Sequence, residues 1–385
     1  QKSMVYINEA PDRKARATLV PGKEAGTTDV VIDVSDQLPV HAGFEYDNYA
    51  SRYLDRNRYA MVLEHNNLFG FDDKLYVKAL TGEADRLHQY QARYSIPVSE
   101  GFDIGGYALV SKTRLGREFS DLASKGKAEI YGLFSSYSLI NSREWDLRFN
   151  AGFDYKNIDN YSLGERTSRD DLRIVKLGFD SDSTDSWGRN IVSLEADQGI
   201  EDILGGMDDK DGFSSREGAG GQFTKFPGYF FRLQEMPLGT SLLWKNFAQY
   251  SNHALVSSEE FQIGGPYSVR GYPTGEYVGD SGFYTSPELS VPVYCLNKSW
   301  KVPYNQESWY DTLRFVLFYD WAKSHLNRAG ADEKKDHTIS GWGYGLRFNL
   351  RDNLTFRAEV GYPLGKPTPS DGHDPHVWVE LTSKI

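Results

Sequence analysis

Apolar side chains recur at every second position over most of this chain, and no other feature of the sequence restricts the fold so strongly. Segment 354–362 reads LTFRAEVGY and segment 90–96 reads YQARYSI, with apolar side chains alternating with Arg, Glu, Gln, Thr, Ser or Gly. A repeat of two residues is that of a β-strand, in which successive side chains point to opposite faces. We therefore expect an all-β fold whose strands have one apolar and one polar face.

Sixteen such segments are predicted between residues 39 and 385. They are 40–47, 58–66, 73–81, 87–96, 101–111, 126–138, 143–155, 171–181, 188–197, 221–234, 240–263, 283–294, 312–320, 339–349, 353–362 and 376–384. Short turns mostly alternate with longer polar loops such as 112–125, 156–170 and 199–220. About 22 residues per strand and connection suits tilted membrane strands of ~9–11 residues. The pattern predicts that 39–385 forms a barrel of antiparallel strands.

Composition separates this barrel from the alternative, a soluble β-sandwich. The 385 residues include 25 Tyr, 21 Phe, 8 Trp and 37 Gly, and no run approaches the ~18 apolar residues of a spanning helix. Tyr and Trp favour membrane interfaces. Charged residues of the polar face, such as Arg347, Arg357 and Glu359, would line a lumen, because a closed barrel hides them from lipid. These features exclude a helical membrane protein and favour a transmembrane barrel.

Charge and motif content exclude several other classes of function. The formal net charge of −11 argues against a general nucleic-acid binder, and the single Cys295 permits no intramolecular disulfide and no cysteine zinc site. Segment 279–282 (GDSG) resembles the nucleophile segment of trypsin-like proteases, but Phe283 stands where those have Gly. Segment 208–212 (DDKDG) lacks the EF-hand ligands at the first and last loop positions. We expect no catalytic residues, no metal site and no cofactor.

Three prolines fall inside predicted strands, at Pro227, Pro287 and Pro292. Proline has no N–H to donate to a neighbouring strand. We expect β-bulges at these three points.

Segment 264–272, GGPYSVRGY, lies between the eleventh and twelfth predicted strands. It resembles the tip of the sixth extracellular loop of BamA-type polypeptide-transporting barrels, most closely in the form found in TpsB transporters of two-partner secretion. Segment 318–322, FYDWA, is similar to the Phe-x-Asp-x-Gly motif of that family, with Ala322 in place of Gly. The resemblance implies a 16-stranded antiparallel transmembrane β-barrel over 39–385 with an inward-folded sixth extracellular loop. Residues 1–38 resemble the C-terminal fragment of the last polypeptide-transport-associated (POTRA) domain.

The resemblance places the functional site at the loop tip and the inner wall. The loop-tip motif consists of Gly264, Gly265, Ser268, Val269, Arg270, Gly271 and Tyr272. Glycines allow such a loop to turn back and to pack closely. Period two puts Phe318 and Asp320 on the inward face of the thirteenth strand, and Glu288 inward on the twelfth. Because arginine offers a carboxylate a planar, bidentate contact, we expect Arg270 to meet Asp320, with Glu288 as a second acidic candidate.

A TpsB-like chain is expected to be an outer-membrane translocase that exports an unfolded adhesin- or haemolysin-like exoprotein with a TPS-type domain. The resemblance further implies a bacterial outer-membrane location with the POTRA side in the periplasm, and contacts with the lipid bilayer and lipopolysaccharide. A monomeric barrel without nucleic-acid partners or enzymatic activity is expected. Two alternatives stay open: a BamA-like insertase of outer-membrane proteins, and a passive porin.

Overall fold

The computed structural model describes residues 8, 10–24, 26–209, 211–303, 305–330, 333–351 and 353–384. These residues form twenty strands and one short α-helix. The strands are β1 (Arg13–Pro21), β2 (Thr28–Asp36), β3 (Val40–Asp47), β4 (Arg58–Asn66), β5 (Lys74–Gly82), β6 (Leu87–Ser99), β7 (Phe102–Arg114), β8 (Lys125–Asn141), β9 (Trp145–Ser162), β10 (Glu165–Asp185), β11 (Gly188–Gly199), β12 (Thr224–Glu235), β13 (Ser241–Ser251), β14 (Phe261–Ile263), β15 (Tyr277–Gly279), β16 (Ser281–Pro292), β17 (Leu313–His325), β18 (Asp336–Leu350), β19 (Leu354–Pro363) and β20 (His376–Lys384). The helix is α1 (Trp309–Thr312), and single 3-10 turns cover Arg52–Leu54, Arg117–Phe119, Ile203–Gly205 and Pro237–Gly239. No helix in the described part of the chain is long and apolar enough to cross a membrane.

Sixteen strands of the described chain close into one barrel. The order runs from β3 to β13 and continues from β16 to β20, with every neighbour antiparallel, and β20 pairs with β3 to complete the ring. The predicted all-β, sixteen-stranded barrel is confirmed. Closure leaves no strand edge unpaired, which is the condition for a sheet in hydrocarbon.

The alternation in sequence sorts side chains between the two faces of the barrel wall. On β17, Leu317 and Tyr319 are 40% and 43% exposed on the outside of the barrel. Phe318 and Asp320, one residue away in each case, are 5% and 0% exposed inside it. A strand with period two therefore supplies an apolar outer surface and a polar interior at once.

Strands β1 and β2 form a separate two-stranded sheet against one end of the barrel. Arg13 of β1 contacts Asp72, between β4 and β5, with its Nη2 2.9 Å from Oδ1, and Asp12 lies 2.8 Å from a ring nitrogen of His41. We call this end the N-terminal rim and the opposite end the distal rim. The assignment of 1–38 to a POTRA domain stays a prediction.

Two predicted boundaries are wrong. The predicted loop 156–170 is mostly strand, since β9 and β10 continue to a turn at residues 163–164. Residues 156–170 of this hairpin are mostly polar on both faces of the strands. The alternation of apolar and polar residues therefore ends before the strands do. The predicted strand 240–263 is two strands, because β13 ends at Ser251 and β14 pairs with β15 instead of with the barrel.

The expected bulges at the three prolines are also wrong. The β11–β12 pairing resumes in the same register on both sides of Pro227, and the β16–β17 pairing does so around Pro287. Pro292 pairs in register as the last residue of β16. A missing N–H interrupts the ladder on one side of a strand without the need for an extra residue. The described register shifts lie instead at 97–99, 138–140 and 166–168.

The connections at the distal rim are numbered L1 to L8 along the chain. Those that bear on the site are L1 (48–57), L5 (200–223), L6 (252–280), L7 (326–335) and L8 (364–375). L6 contains the β14–β15 hairpin.

In the part of the chain that the structure describes, the junction that closes the barrel is the shortest one. Among the described residues β3 and β20 share five aligned pairs, from Asp47 with Glu380 to Gly43 with Lys384. The other neighbouring barrel strands share at least eight. The β3–β20 junction thus has the fewest ladder hydrogen bonds available to hold it.

Candidate functional site

Loop L6 turns back from the distal rim and packs against the inner wall. Strands β14 and β15 pair over three residues, from Phe261 with Gly279 to Ile263 with Tyr277, and form its stem. Residues 264–276 join the two strands and form the tip. The tip carries all seven residues of the predicted motif.

Two glycines let the tip turn sharply after β14. Gly264 and Gly265 have φ values of +98° and +97°, which side chains other than glycine rarely adopt. The N–H of Gly265 donates to the carbonyls of Val269 and Tyr272 at 3.2 and 3.1 Å, and Ser268 N–H donates to the Gly265 carbonyl at 3.1 Å. These bonds close the motif on itself and fix the direction in which its central side chain leaves the backbone.

Arg270 is fully buried and faces Asp320 of β17. Its Nε lies 2.8 Å from Asp320 Oδ2 and its Nη2 lies 2.7 Å from Oδ1. The backbone N–H of Arg270 also donates to Oδ2, at 3.0 Å. The hydroxyl of Ser286, on β16, accepts from Nη2 at 3.0 Å and donates to Asp320 Oδ1 at 2.7 Å. The contact is the two-pronged one that a guanidinium can make and an ammonium cannot.

Further contacts of Arg270 involve β16 and β17 again and two additional strands, β19 and β20. Its Nη1 lies 2.8 Å from Glu288 Oε1 on β16 and 3.0 Å from Glu359 Oε2 on β19. The guanidinium carbon lies 3.3 Å from the centre of the Phe318 ring, which covers one face of the cation. The indole N–H of Trp378, on β20, donates to the Arg270 carbonyl at 2.8 Å. The tip therefore touches side chains of β16, β17, β19 and β20.

A glycine on each side allows this close approach. A Cβ at Gly361 of β19 would lie 2.5 Å from both the carbonyl carbon and the oxygen of Arg270. A Cβ at Gly271 would lie 2.6 Å from backbone atoms of Tyr362 and Pro363. The backbone of the tip and that of β19 are in direct contact, so neither position has room for a side chain.

Apolar contacts seat the remaining motif residues. Val269 and Tyr272 are fully buried in a cluster with side chains of L6 and the wall, namely Ile263, Tyr284, Ala322 and Ile339. The hydroxyl of Tyr272 donates to the carbonyl of Pro367 in L8 at 2.8 Å. Ser268 is 6% exposed. Ala322, which stands where the resembled motif has Gly, thus belongs to the buried cluster that contacts the loop tip.

The two glutamates of the site are shared with three more cations of the wall. Lys245 Nζ lies 2.5 Å from Glu288, and Arg347 contacts Glu288 and Glu359 at 2.7 and 2.6 Å. Arg357 lies 2.8 Å from Glu359. Among the described residues Asp320 forms an ion pair with Arg270 and with no second cation.

A second buried cluster joins L5, L6 and L7 near the distal rim. Asp280 accepts from Nη1 and Nη2 of Arg216 at 2.5 and 3.2 Å, and from the backbone N–H groups of Leu255 and Asn327 at 2.7 Å each. Arg216 Nη1 also lies 2.9 Å from Glu260 Oε1. Burial raises the pKa of Glu260 to about 7, although Arg216 acts in the opposite direction. The aspartate of the GDSG segment thus ties three loops together.

The arrangement is suited to holding a loop in place. Its charged groups are paired with one another, and the hydroxyl of Ser286 donates to Asp320. Among the described residues no group of three or more His, Cys, Asp or Glu side chains could hold a metal ion.

Comparison with known proteins shows the family of the chain. The profile of the family described as haemolysin secretion/activation protein ShlB/FhaC/HecB matches residues 26–348. The chain belongs to this family. Family and fold together place it in the outer membrane.

Individual relatives match the chain at low identity. Heme/hemopexin transporter protein HuxB of Haemophilus influenzae (strain 86-028NP) is 24% identical over 99% of this chain and 66% of its own length. Outer membrane transporter CdiB of Dickeya dadantii is 23% identical over 95% of this chain and 64% of its own. The structure of CdiB from Escherichia coli superposes with a TM-score of 0.81 at 18% identity, over 99% of this chain and 69% of that one. The chain spans just under two thirds of the length of these curated relatives.

Sequence reasoning named Arg270, Asp320, Phe318 and Glu288, and the structure brings all four into contact. It did not assign three further partners of Arg270, which are Glu359, Ser286 and Trp378. Alternation alone placed Glu359 on the polar face, but it gave no sign of which inward carboxylate the loop would reach. That choice depends on how the tip is rotated in the lumen. The role of these residues in transport stays a prediction.

Proposed function

We propose that this chain is the transport barrel of a two-partner secretion system, which exports an unfolded adhesin- or haemolysin-like exoprotein with a TPS-type domain. Membership of the ShlB/FhaC/HecB family supports this function. The names of two relatives, a heme/hemopexin transporter and an outer membrane transporter, agree with it.

The observation that carries the proposal is the fully buried contact between Arg270 and the wall. A loop held by side chains of four strands occupies the interior at rest, and a translocating chain needs that space. A passive porin has no need of the Arg270 motif, because diffusion requires an open path and no loop that moves. In our proposal the contact closes the barrel when no exoprotein is present and also holds the tip where the exoprotein engages it, and export then displaces the tip.

The proposal includes the orientation of the chain and its partners. Residues 1–38 are the end of a POTRA domain on the periplasmic side, and the distal rim faces outward. The outer face contacts lipid, and distal loops contact lipopolysaccharide. The barrel acts as a monomer with no nucleic-acid partner, cofactor or catalytic role. No nucleotide is available in the periplasm, so folding of the exoprotein outside supplies the direction of transport.

Secretion tests the proposal. The full-length gene is expressed with the gene of its large exoprotein, and exoprotein in the medium is measured for wild type, Arg270→Ala and Arg166→Ala. Arg166 is a partly exposed arginine of β10 near the distal rim and serves as the matched control. We expect Arg270→Ala to lose secretion and the control to keep it. Secretion that does not depend on this gene would contradict the proposal.

The short β3–β20 junction favours a second candidate, a BamA-like insertase that opens there to template new barrels. Cysteines at Phe44 and Ser383, which are aligned across the junction, would lock it when oxidised. Cys295 is replaced by Ser beforehand. An exporter that uses the lumen keeps secreting with the junction locked, whereas an insertase stops assembling other outer-membrane proteins until the disulfide is reduced.

A further inference from the structure

Loop L6 carries a second buried charge, which the motif at its tip does not include. The carboxylate of Glu259 is 1% exposed and lies 2.9 Å from Lys156 Nζ and 2.8 Å from Lys225 Nζ. Both lysines are inward-facing side chains of the wall, from β9 and β12, and are 16% and 11% exposed. Through these two buried ion pairs Glu259 connects L6 to the barrel wall.

The two charged contacts of L6 lie on different parts of the wall. Arg270 is held by β16, β17 and β19, whereas Glu259 is held by β9 and β12. Three strand intervals separate β9 from β12, and two more separate β12 from β16, at about 4.8 Å each. L6 is therefore attached on both sides of its own stem and spans a large part of the lumen.

The polarity of the two contacts is opposite. At the tip the loop supplies the cation and the wall supplies carboxylates. At Glu259 the loop supplies the carboxylate and the wall supplies the cations. The amide of Gln249, on β13, connects the two limbs of L6, since its Nε2 donates to the carbonyls of Glu259 at 2.9 Å and Asp280 at 3.1 Å.

Among the described residues Glu259 is the nearest anion to both lysines. Lys156 lies 3.8 Å from Asp154 but 2.9 Å from Glu259, and Lys225 lies 3.6 Å from Asp197 but 2.8 Å from Glu259. If L6 left the lumen, each lysine would lose its closest partner. Loss of one member of a buried ion pair is strongly unfavourable.

We propose that Glu259 is a positioning residue that forms a second anchor of L6, and that the loop leaves the lumen only when the Arg270 and Glu259 contacts both break. The inference concerns the resting position of L6. Only its link to export rests on the proposed function. Because lysines are point charges without a fixed fork, this anchor depends on charge and tolerates Arg in place of Lys, unlike the anchor at Arg270.

Conductance of the full-length protein in planar lipid bilayers tests this inference directly. Glu259→Gln keeps the shape of the side chain and removes its charge, and Glu217→Gln, at an exposed carboxylate of L5, is the matched control. We expect the open-channel fraction of Glu259→Gln to rise at least about tenfold, which corresponds to about 1.4 kcal/mol. The control stays at the wild-type value. An open fraction equal to wild type in a folded Glu259→Gln protein would overturn the inference.

A charge exchange separates an anchor from a general folding role. Glu259→Lys alone places three cations together and should open the channel, and adding Lys156→Glu and Lys225→Glu should close it again. A triple variant that is as open as Glu259→Lys would overturn the inference. Lys225→Met repeats the test from the wall if Glu259→Gln fails to fold, and a closed Lys225→Met channel would count against an anchor.

The same set of variants separates this inference from the proposed function. If Glu259→Gln stays closed while Arg270→Ala abolishes secretion, the second anchor is wrong and the export function stands. If Glu259→Gln opens the channel while secretion does not depend on the gene, the anchor stands and the export function is wrong.

Discussion

Replacement of Arg270 by Lys tests whether geometry or charge holds the tip of L6. Lysine keeps the positive charge but has one nitrogen with three protons. Arg270 makes five side-chain contacts with oxygen atoms of Asp320, Ser286, Glu288 and Glu359. At least two of these five contacts must be lost, together with the flat stacking on the Phe318 ring.

The magnitude follows from the contacts that are lost. A hydrogen bond to a charged group contributes about 1.5–3 kcal/mol. Loss of two such bonds costs about 3 kcal/mol at the lower limit, which corresponds to about a hundredfold in the equilibrium between the seated and the released tip. Arg270→Ala should cost more, because three buried carboxylates then lose a cation and Asp320 keeps none among the described residues.

Planar-bilayer recordings and the secretion assay measure this effect together. We expect Arg270→Lys to raise the open-channel fraction about a hundredfold and to lower secretion, with the barrel still folded. A compact, heat-modifiable band on gels provides the folding control. Arg270→Lys with wild-type conductance and secretion would refute the argument that the bidentate geometry matters.

Three further predictions concern the contacts of the tip and the cluster that joins L5, L6 and L7. Gly361→Ala should release the tip, because its Cβ would collide with the Arg270 backbone, whereas Gly212→Ala, with no heavy atom within 4 Å of its Cβ, should behave as wild type in the same recordings. Trp378→Phe removes one hydrogen bond to the Arg270 carbonyl. Because such a bond contributes about 1 kcal/mol, the open-channel fraction should rise about fivefold. No change would show that this bond contributes nothing to holding the tip. Because the pKa of Glu260 rises from the ordinary carboxyl value of about 4.3 to about 7 in the closed loop cluster, closure should weaken as pH rises between these two values. Limited proteolysis of the distal loops should therefore be faster at pH 8 than at pH 5, and Glu260→Gln should abolish the difference.

The strands of this barrel could be predicted because each has one face toward apolar surroundings and one toward a polar interior, so that apolar and polar residues alternate along it. That rule placed Asp320 and Phe318 inward on β17 from the sequence alone. It failed in the β9–β10 hairpin, where the strands continue although their residues are polar on both faces. It also failed at β14, where alternating apolar residues belong to a loop and not to the barrel wall. In both places the pairing with a neighbouring strand, and not the alternation in the strand's own sequence, determines where the strand lies.

The site was predictable only in its central pair. Resemblance pointed to Arg270, and period two pointed to Asp320. The contribution of Glu359 and the need for glycine at Gly361 depend on the depth and rotation of the tip, which local sequence does not encode. The Glu259 contact with β9 and β12 has the same origin, because it joins residues 103 and 34 positions apart in the chain, and alternation carries no information on pairing between a loop and distant strands.

Labelling of a cysteine in the loop tip tests most directly whether Arg270 holds L6 inside the barrel. Cys295 is first replaced by Ser, and single cysteines are placed at Ser268, which is buried in the tip, or at Ser257, which is exposed in the same loop. Cells are then treated with a membrane-impermeant maleimide. We expect rapid labelling at 257 and protection at 268, with the protection lost when Arg270 is changed to Lys. Equal labelling of both positions in the protein with Arg270 intact would contradict the account.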